Sequence, residues 1–588
     1  MKTFPRRTFL KSAAASSLLC AAGPLRGVAA PAGAVLQEVG YGAAHLTGGP
    51  LQQQYLAVRA HYLALDNDRL LKVYRQRAGL PAPGVDMGGW YDRNGFVPGH
   101  ALGQYISGLA RLGASTGDQA CRQKVQELVR GFTATLGAQN QSILRPESNQ
   151  WVCYTLDKHL AGLVDAVQLA GVTEAQETLL RTFAGARALL PSQGRDRIGK
   201  KEPPYDETYV MPETLFAAHA LTGEAALYEL AQRYLLRREF FEPLARGDDP
   251  FPGQHAHSHA IALSSGGRAY FELQDARYRD ALQHAFTLLT TQQQYASGGW
   301  GPNETFITPG RGELYASLST TVDHFETPCG AYAATKLARY LLRMTGDSRY
   351  ADYLERVVYN TILAVRMPDD DGDYPYYSTY GTRARKTYYP SKWPCCSGTL
   401  VQTVADYVLN LYFTAADGVY VSMYAPSVLT TRVGVNRLRL VQETSYPASD
   451  EILIRIDESP ATPWALHLRI PAWASGASVA INGTVQPAAP GRFLRLARRW
   501  KPGDSVRLVL PQSFRTESID ELHPETAALM RGSVLYASLN ATTPELPPLL
   551  GTSTLHGVGP SQYQQQGRLF VPFYTVQQQT YSVYHTLR

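Results

Sequence analysis

Two cysteines stand side by side at Cys395–Cys396, in the stretch KWPCCSGTL. A third stands alone at Cys329, three residues after Glu326, in HFETPCGAY. Adjacent cysteines are badly placed to pair with each other, because the vicinal geometry is strained. Both clusters fall at predicted helix starts. After Cys329, Leu337, Tyr340, Leu341 and Met344 mark one apolar helical face, with Thr327 as expected N-cap and Pro328 as first helical residue. After Cys396, Leu400, Val401, Val404, Val408 and Leu411 mark another, on a helix expected to start near Ser397. A helix N-terminus stabilises an anion and so lowers a thiol pKa. Three cysteines and a glutamate, each beside a helix start, can supply four ligands to a tetrahedral zinc ion. The two halves lie 66 residues apart and contain no Cys-x-x-Cys pair. Spacing alone therefore leaves a second reading open, three half-buried cysteines acting as small hydrophobes.

The elements around these residues read as a repeated helical hairpin. STGDQACRQKVQELV, LTGEAALYELAQRYL and MTGDSRYADYLERVV each set a turn before apolar residues at three- and four-residue steps. LQDARYRDALQHAF and GVTEAQETLLRTF are looser versions. They recur at roughly 50-residue intervals, the length of a helical hairpin with its loops. Long Gly- and Tyr-rich interruptions, such as MGGWYDRNGFVPGH and GGWGPNETFITPGRGE, favour a closed double ring of helices over an open solenoid. In such a ring these loops would gather at one mouth. Beyond Thr414 the pattern becomes alternating, with strands such as EILIRID, ALHLRIP and SVRLVLP, as in a β-sandwich. The expected organisation is a leader over 1–30, a helical barrel over 31–414, a β-sandwich over 415–525 and a small β-rich segment over 526–588.

Composition sets the outer limits. The chain has 588 residues, 44% hydrophobic and 18% charged, with a net charge of +6 and no Lys/Arg block that would point to nucleic acid. Thirty-six tyrosines offer flat faces and hydroxyls, which suit sugar rings as well as ordinary cores. Arg6–Arg7, a mild apolar run and the small residues before Ala30 form a twin-arginine export signal. The expectation is transfer by the twin-arginine translocase to the periplasm or beyond, with no membrane span in the mature chain. Such cargo folds in the reducing cytoplasm, where five remaining widely spaced cysteines would not be a disulfide framework.

In these residues the chain resembles glycoside hydrolase family 127, the β-L-arabinofuranosidases. The likeness starts at LTGGPLQQQYLAVRAHYLALDNDRLLKVYRQRAGL and includes GHALGQYISGLARLGA and YTLDKHLAGLVDAVQLAG. It continues through GGWGPNETF, FETPCGAYA and CCSGT into the β-rich tail. The resemblance implies an (α/α)6 barrel followed by β-sandwich domains. It also implies a zinc ion held by Glu326, Cys329, Cys395 and Cys396, with Cys395 as nucleophile, a glutamate as acid/base and retention of configuration. The substrate it implies is a plant-type or bacterial glycan or oligosaccharide. Coordination to zinc would strip the thiol proton, and the cysteine would stand where retaining enzymes use a carboxylate.

Two departures stand out. The family pattern is Glu-Thr-Cys, whereas here Pro328 intervenes between Glu326 and Cys329. The acid/base glutamate follows a Gly-Gly-x-Gly stretch in the family, which leaves Glu304 and Glu313 as candidates. The neighbouring Phe306 and the closeness of the glycines favour Glu304, while the spacing before Glu326 suits Glu313. His259 falls where the family has a histidine near the sugar, and His255 and His257 precede it at steps that also suit a second metal. His100 and Tyr154 are candidates for the barrel mouth, and Trp90, Tyr91 and Trp300 for stacking faces. Cys121 and Cys153 read as structural. Two other functions compete. One is inverting or lyase chemistry by Glu304 with Asp92 or Asp206 beside a structural zinc. The other is a degenerate glycan-binding protein, which the altered Glu-x-x-Cys spacing favours.

Overall fold

The computed structural model describes residues 33–141, 144, 151–194, 206–320, 328–368, 372–539 and 545–588. Arg6, Arg7, Glu326 and Thr327 lie outside these residues.

Fifteen α-helices are present among the described residues. The first eight are α1 (Gly49–Ala64), α2 (Asn67–Ala78), α3 (Leu102–Thr116), α4 (Gln119–Thr133), α5 (Val152–Gln168), α6 (Ala175–Ala186), α7 (Pro212–Thr222) and α8 (Ala225–Tyr234). They are followed by α9 (Glu242–Arg246), α10 (Ala256–Leu273), α11 (Ala276–Leu288), α12 (Glu313–Thr320), α13 (Pro328–Thr345), α14 (Ser348–Val357) and α15 (Cys395–Ala405). Helices α3, α5, α7, α10, α13 and α15 pack side by side, and α15 returns to α3 to close an inner ring. Each of α4, α6, α8, α11 and α14 packs against the inner helix before it, and α1 packs against α15. This is the expected (α/α)6 barrel. An outer helix separates successive inner ones, so the inner six run parallel and their N-termini meet at one mouth.

The repeated turn has a physical job. In TGD and TGE the glycine ends the inner helix in the left-handed region, at φ +73° for Gly117 and Gly223 and +70° for Gly346. The next residue caps the outer helix, as Asp118 accepts from the Ala120 amide and Asp347 from the Arg349 amide. One dipeptide thus satisfies a C-terminus and an N-terminus and reverses the chain. Pro328 opens α13, as its missing N–H allows. No described helix is long and apolar enough to cross a membrane.

The β-rich part begins with a five-stranded and a seven-stranded sheet. Leu466, Leu468 and Ile470 from one sheet, with Leu440, Ile454 and Leu508 from the other, are buried in a shared core. The boundaries differ from those expected. Gln37–Glu38 pairs with Tyr412–Ala415, and Ala44–Leu46 with Ser427–Val433, so the residues preceding the barrel supply strands to the sandwich. Phe514–Ser518 pairs with Thr526–Arg531, which places it in the third, nine-stranded sheet. The first two pairings join segments hundreds of residues apart, which period and turn chemistry cannot reveal.

Arg469 ties the sandwich to the barrel. It is fully buried and holds Asp352 and Glu355 of α14, each at 2.6 Å. Truncating one partner of a buried ion pair strands the others. Arg469→Met is therefore expected to cost about 3–5 kcal/mol, measured by chemical denaturation. An unchanged midpoint would remove this triad as the anchor of the interface.

Candidate active site

Helices α13 and α15 are neighbours in the inner ring, which brings their first turns together at the mouth. The Sγ atoms of Cys329 and Cys395 lie 3.4 Å apart, those of Cys329 and Cys396 3.6 Å, and those of Cys395 and Cys396 4.0 Å. All three cysteines are free thiols. Sulfurs bound tetrahedrally at about 2.3 Å from zinc would be about 3.8 Å apart, so the triangle fits a tetrahedral thiolate centre without rearrangement. Glu326, the fourth ligand implied by the resemblance, lies outside the described residues.

The three sulfurs are not equivalent. Hydrogen bonds from the thiols of Cys329 and Cys396 hold Cys395 well below the ordinary thiol range, with Lys158 and His257 assisting against burial. Donating to Cys395 pushes Cys329 up, and burial pushes Cys396 up. Cys395 and Cys329 line the cavity described below, whereas Cys396 is fully buried behind them. The first turn of α15 is fixed from two sides. Tyr62 donates to the Ser397 carbonyl, and Tyr105 shares a 2.8 Å hydrogen bond with the Ser397 hydroxyl. The loops flagged in the sequence do gather here. The Trp90 amide donates to the Lys392 carbonyl at 3.0 Å, and the Trp393 indole to that of Met87 at 2.6 Å. Trp90, Tyr154 and Tyr389 pack against the sulfur cluster.

Glu304 arrives on a strained turn. Gly301, Asn303 and Glu304 all have positive φ, at +79°, +54° and +59°. Such backbone in non-glycine residues costs about 1–3 kcal/mol each and persists where the surroundings enforce it. Here the Gly253 amide donates to the Phe306 carbonyl and the Phe306 amide to the Gln254 carbonyl, each at 3.0 Å, anchoring the turn beside the start of α10. His255 caps α10, accepting at Nδ1 from the Ser258 amide at 3.3 Å and facing its hydroxyl at 2.9 Å. The proton is thereby left on Nε2, which donates to Glu304 Oε2 at 3.3 Å. His257 lies 4.0 Å from the other carboxylate oxygen, and burial pushes it below the usual histidine range. His255, His257 and Glu304 could together hold a cation. The hydrogen bond to Glu304 accounts for the arrangement without one. A Cβ at Gly301 would sit 2.4 Å from the Ala256 Cβ. Gly301→Ala is expected to shift the turn and lower kcat/KM about 100-fold, the usual effect of a 1 Å misplacement. Kinetics beside a thermal melt would separate this from global unfolding.

Both groups open on one cavity of about 410 Å³, the lumen of the barrel. Its wall follows helical steps along the inner ring, with Cys329, Tyr332 and Lys336 on α13 and Cys395, Thr399 and Gln402 on α15. Trp90, Tyr154 and Glu304 also line it, and Glu313 does not. Glu313 begins α12 and accepts from the Thr308 amide at 3.1 Å. Trp300 is 1% exposed and stacks on Tyr353, a core packing role. His259 is buried between Tyr209 and Phe240, one layer behind the wall. His100 is buried behind Trp90 and Tyr154, and burial pushes it down to about 3. Tyr91 is likewise buried, and its hydroxyl donates to the Leu70 carbonyl. Asp206 accepts from the Cys153 and Tyr154 amides at the start of α5, and neither it nor Asp92 lines the cavity. Cys121 and Cys153 are buried away from the sulfur cluster, as expected of structural residues.

The family model described as the β-L-arabinofuranosidase, GH127 catalytic domain, matches residues 43–408. The chain belongs to glycoside hydrolase family 127. It is a glycoside hydrolase, and its substrate is a glycan. The middle domain of the same family matches residues 418–512. Among solved structures, a GH127 β-L-arabinofuranosidase from Geobacillus stearothermophilus T6 is 16% identical with a TM-score of 0.71, covering 93% of this chain and 100% of its own. A second GH127 β-arabinofuranosidase is 18% identical with a TM-score of 0.72, covering 95% of this chain and 98% of its own. No curated protein matches. At these identities the structural likeness speaks for the fold.

This family-127 chain also places residues that the sequence reading passed over. Lys158 lines the lumen at 8% exposure, with its Nζ 3.4 Å from the centre of the Tyr154 ring. Asp157 lines it too, and burial pushes its carboxyl up to about 6. The signal was available, because Tyr154 and Lys158 stand four apart on one helical face. A lysine inside an apolar helix reads equally well as a snorkelling surface residue until the ring is closed.

Proposed function

We propose that the chain is a retaining, exo-acting glycosidase on L-arabinofuranoside-like glycosides, with Cys395 as nucleophile and Glu304 as acid/base. The observation that carries this reading is that the acidified, cavity-facing thiol of Cys395 and the carboxyl of Glu304 share one lumen. The Cys395 thiolate attacks the anomeric carbon and forms a carbon–sulfur bond while the glycosidic carbon–oxygen bond breaks. The carboxylic acid of Glu304 gives its proton to the departing oxygen. Glu304, now a carboxylate, takes a proton from a water whose oxygen attacks the same carbon, and the thiolate of Cys395 leaves. Two displacements retain configuration. His255 orients the Glu304 carboxyl through its Nε2–H. Cys329, Cys395, Cys396 and Glu326 would hold zinc, which when bound keeps the coordinating thiols deprotonated at neutral pH. Trp90, Tyr154 and Tyr389 supply apolar faces for the sugar ring.

The test has two arms. Purified protein is expected to carry about one equivalent of zinc, and NMR of the first product formed is expected to show the starting anomer. An inverted anomer or an unsaturated product rejects the thioether route. Protein without zinc that still turns over rejects the metal assignment. From Arg6–Arg7 we further propose export of the folded chain by the twin-arginine translocase to the periplasm or beyond. Lysine replacement of both arginines is expected to retain the protein in the cytoplasm.

A further inference from the structure

The lumen does not end at the reaction centre. The thiols sit in the first turns of α13 and α15, yet Lys336 and Gln402 still line the cavity seven residues further along. At 1.5 Å per residue this is about 10 Å of additional depth. A single pentofuranose bonded to Cys395 reaches about 6 Å with its exocyclic arm, for bonds near 1.5 Å. It therefore stops short of the floor. The cavity as a whole falls within the size range that encloses drug-sized ligands, well above one pentose.

The inner chamber has the chemistry of a sugar site. Its sides include Ala161 and Ala217, which leave it open. Its floor carries ion-paired groups, Arg111 with Asp165 at 2.9 Å and with the buried Asp406 at 3.0 Å, and Lys336 with Glu213. Charges engaged in ion pairs present donors and acceptors with their fields partly offset, which suits a neutral polyol. At its upper edge, Asp157 Oδ1 and Lys158 Nζ are buried without hydrogen-bond partners. Buried polar atoms are rarely left unsatisfied, and a carboxylate oxygen near an ammonium matches the donors and acceptors of sugar hydroxyls.

We infer that the lumen beneath the thiols is a second sugar subsite, so that the unit released from the non-reducing end is a disaccharide or a glycosyl-substituted sugar. The inference rests on the glycosidase reading above and specifies its substrate. The test compares 4-nitrophenyl β-L-arabinofuranoside with the 4-nitrophenyl glycoside of an arabinobiose. Wild-type protein is expected to favour the disaccharide glycoside at least tenfold in kcat/KM. Ala217→Phe, which fills the chamber, is expected to lower that value about 100-fold and to change hydrolysis of the monosaccharide glycoside less than about threefold, in line with a steric block remote from the reacting atoms. Equal losses on both substrates, or none on either, overturn the inference. Ala161→Leu provides a milder filling variant, and circular dichroism confirms the fold of each. Calorimetry with free arabinobiose and free arabinose separates this inference from the glycosidase reading. Tighter disaccharide binding that Ala217→Phe abolishes supports the subsite even if neither aryl glycoside is cleaved. Equal binding of the two sugars overturns it.

Discussion

Cys395→Ser is expected to lower turnover by about 10⁴-fold or more, as losses of a covalent nucleophile do. A serine hydroxyl has a far higher pKa than a thiol and is a much weaker nucleophile at neutral pH. The sulfurs of Cys329 and Cys396 remain, so the variant should keep most of its metal. Cys396→Ser makes the contrast. Its sulfur is fully buried and does not line the lumen, so the activity of this variant should fall only in proportion to any metal lost, whereas Cys395→Ser should be inactive even with metal bound. Metal analysis beside an activity assay on both variants reads the two roles separately. A Cys395→Ser enzyme within tenfold of wild type would sink the nucleophile assignment.

Glu304→Gln is expected to cost about 10²–10⁴-fold, the usual range for a general acid–base group. The loss should depend on the leaving group. A 4-nitrophenolate departs without a proton, so the first displacement survives while the second, which needs a base for water, stalls. The glycosyl thioether should then accumulate on Cys395 and appear as an added sugar mass on the peptide that carries it. Glu313→Gln should stay within about twofold, because Glu313 serves the Thr308 turn outside the lumen. If the two variants trade effects, the acid/base role moves to Glu313.

Much of the fold was legible because its signals are local. The TGD turns mark hairpins through one left-handed glycine and one capping carboxylate, and each works within a few residues. The alternating strands after Thr414 are local in the same sense. The edge strands at Gln37–Glu38 and Ala44–Leu46 were not legible, since two- and three-residue segments carry no period and their partners lie in the C-terminal half. At the site, the cysteine clusters could be placed at helix starts from periodicity. Neither His259 nor His255 could be given its position on the wall or behind it: a four-residue step puts both on one helical face, and they part because His255 is the extended N-cap of α10 and lines the lumen, while His259 lies within the helix.

The sequence by itself determined the chemistry available to this protein: three cysteines at two helix starts, a glutamate after a glycine run, and a repeated hairpin to carry them. Tertiary structure decided which atoms meet. Closing the ring set α13 beside α15 and brought sulfurs 66 residues apart to 3.4 Å. The backbone pairing of residues 253–255 with 305–306 put Glu304, and not Glu313, on the lumen. Ring closure also buried Lys158 and Asp157 in that lumen, although nothing local distinguishes them from surface charges. Local physics fixes which way each helix begins, and only the packing of all six inner helices fixes what their N-termini face.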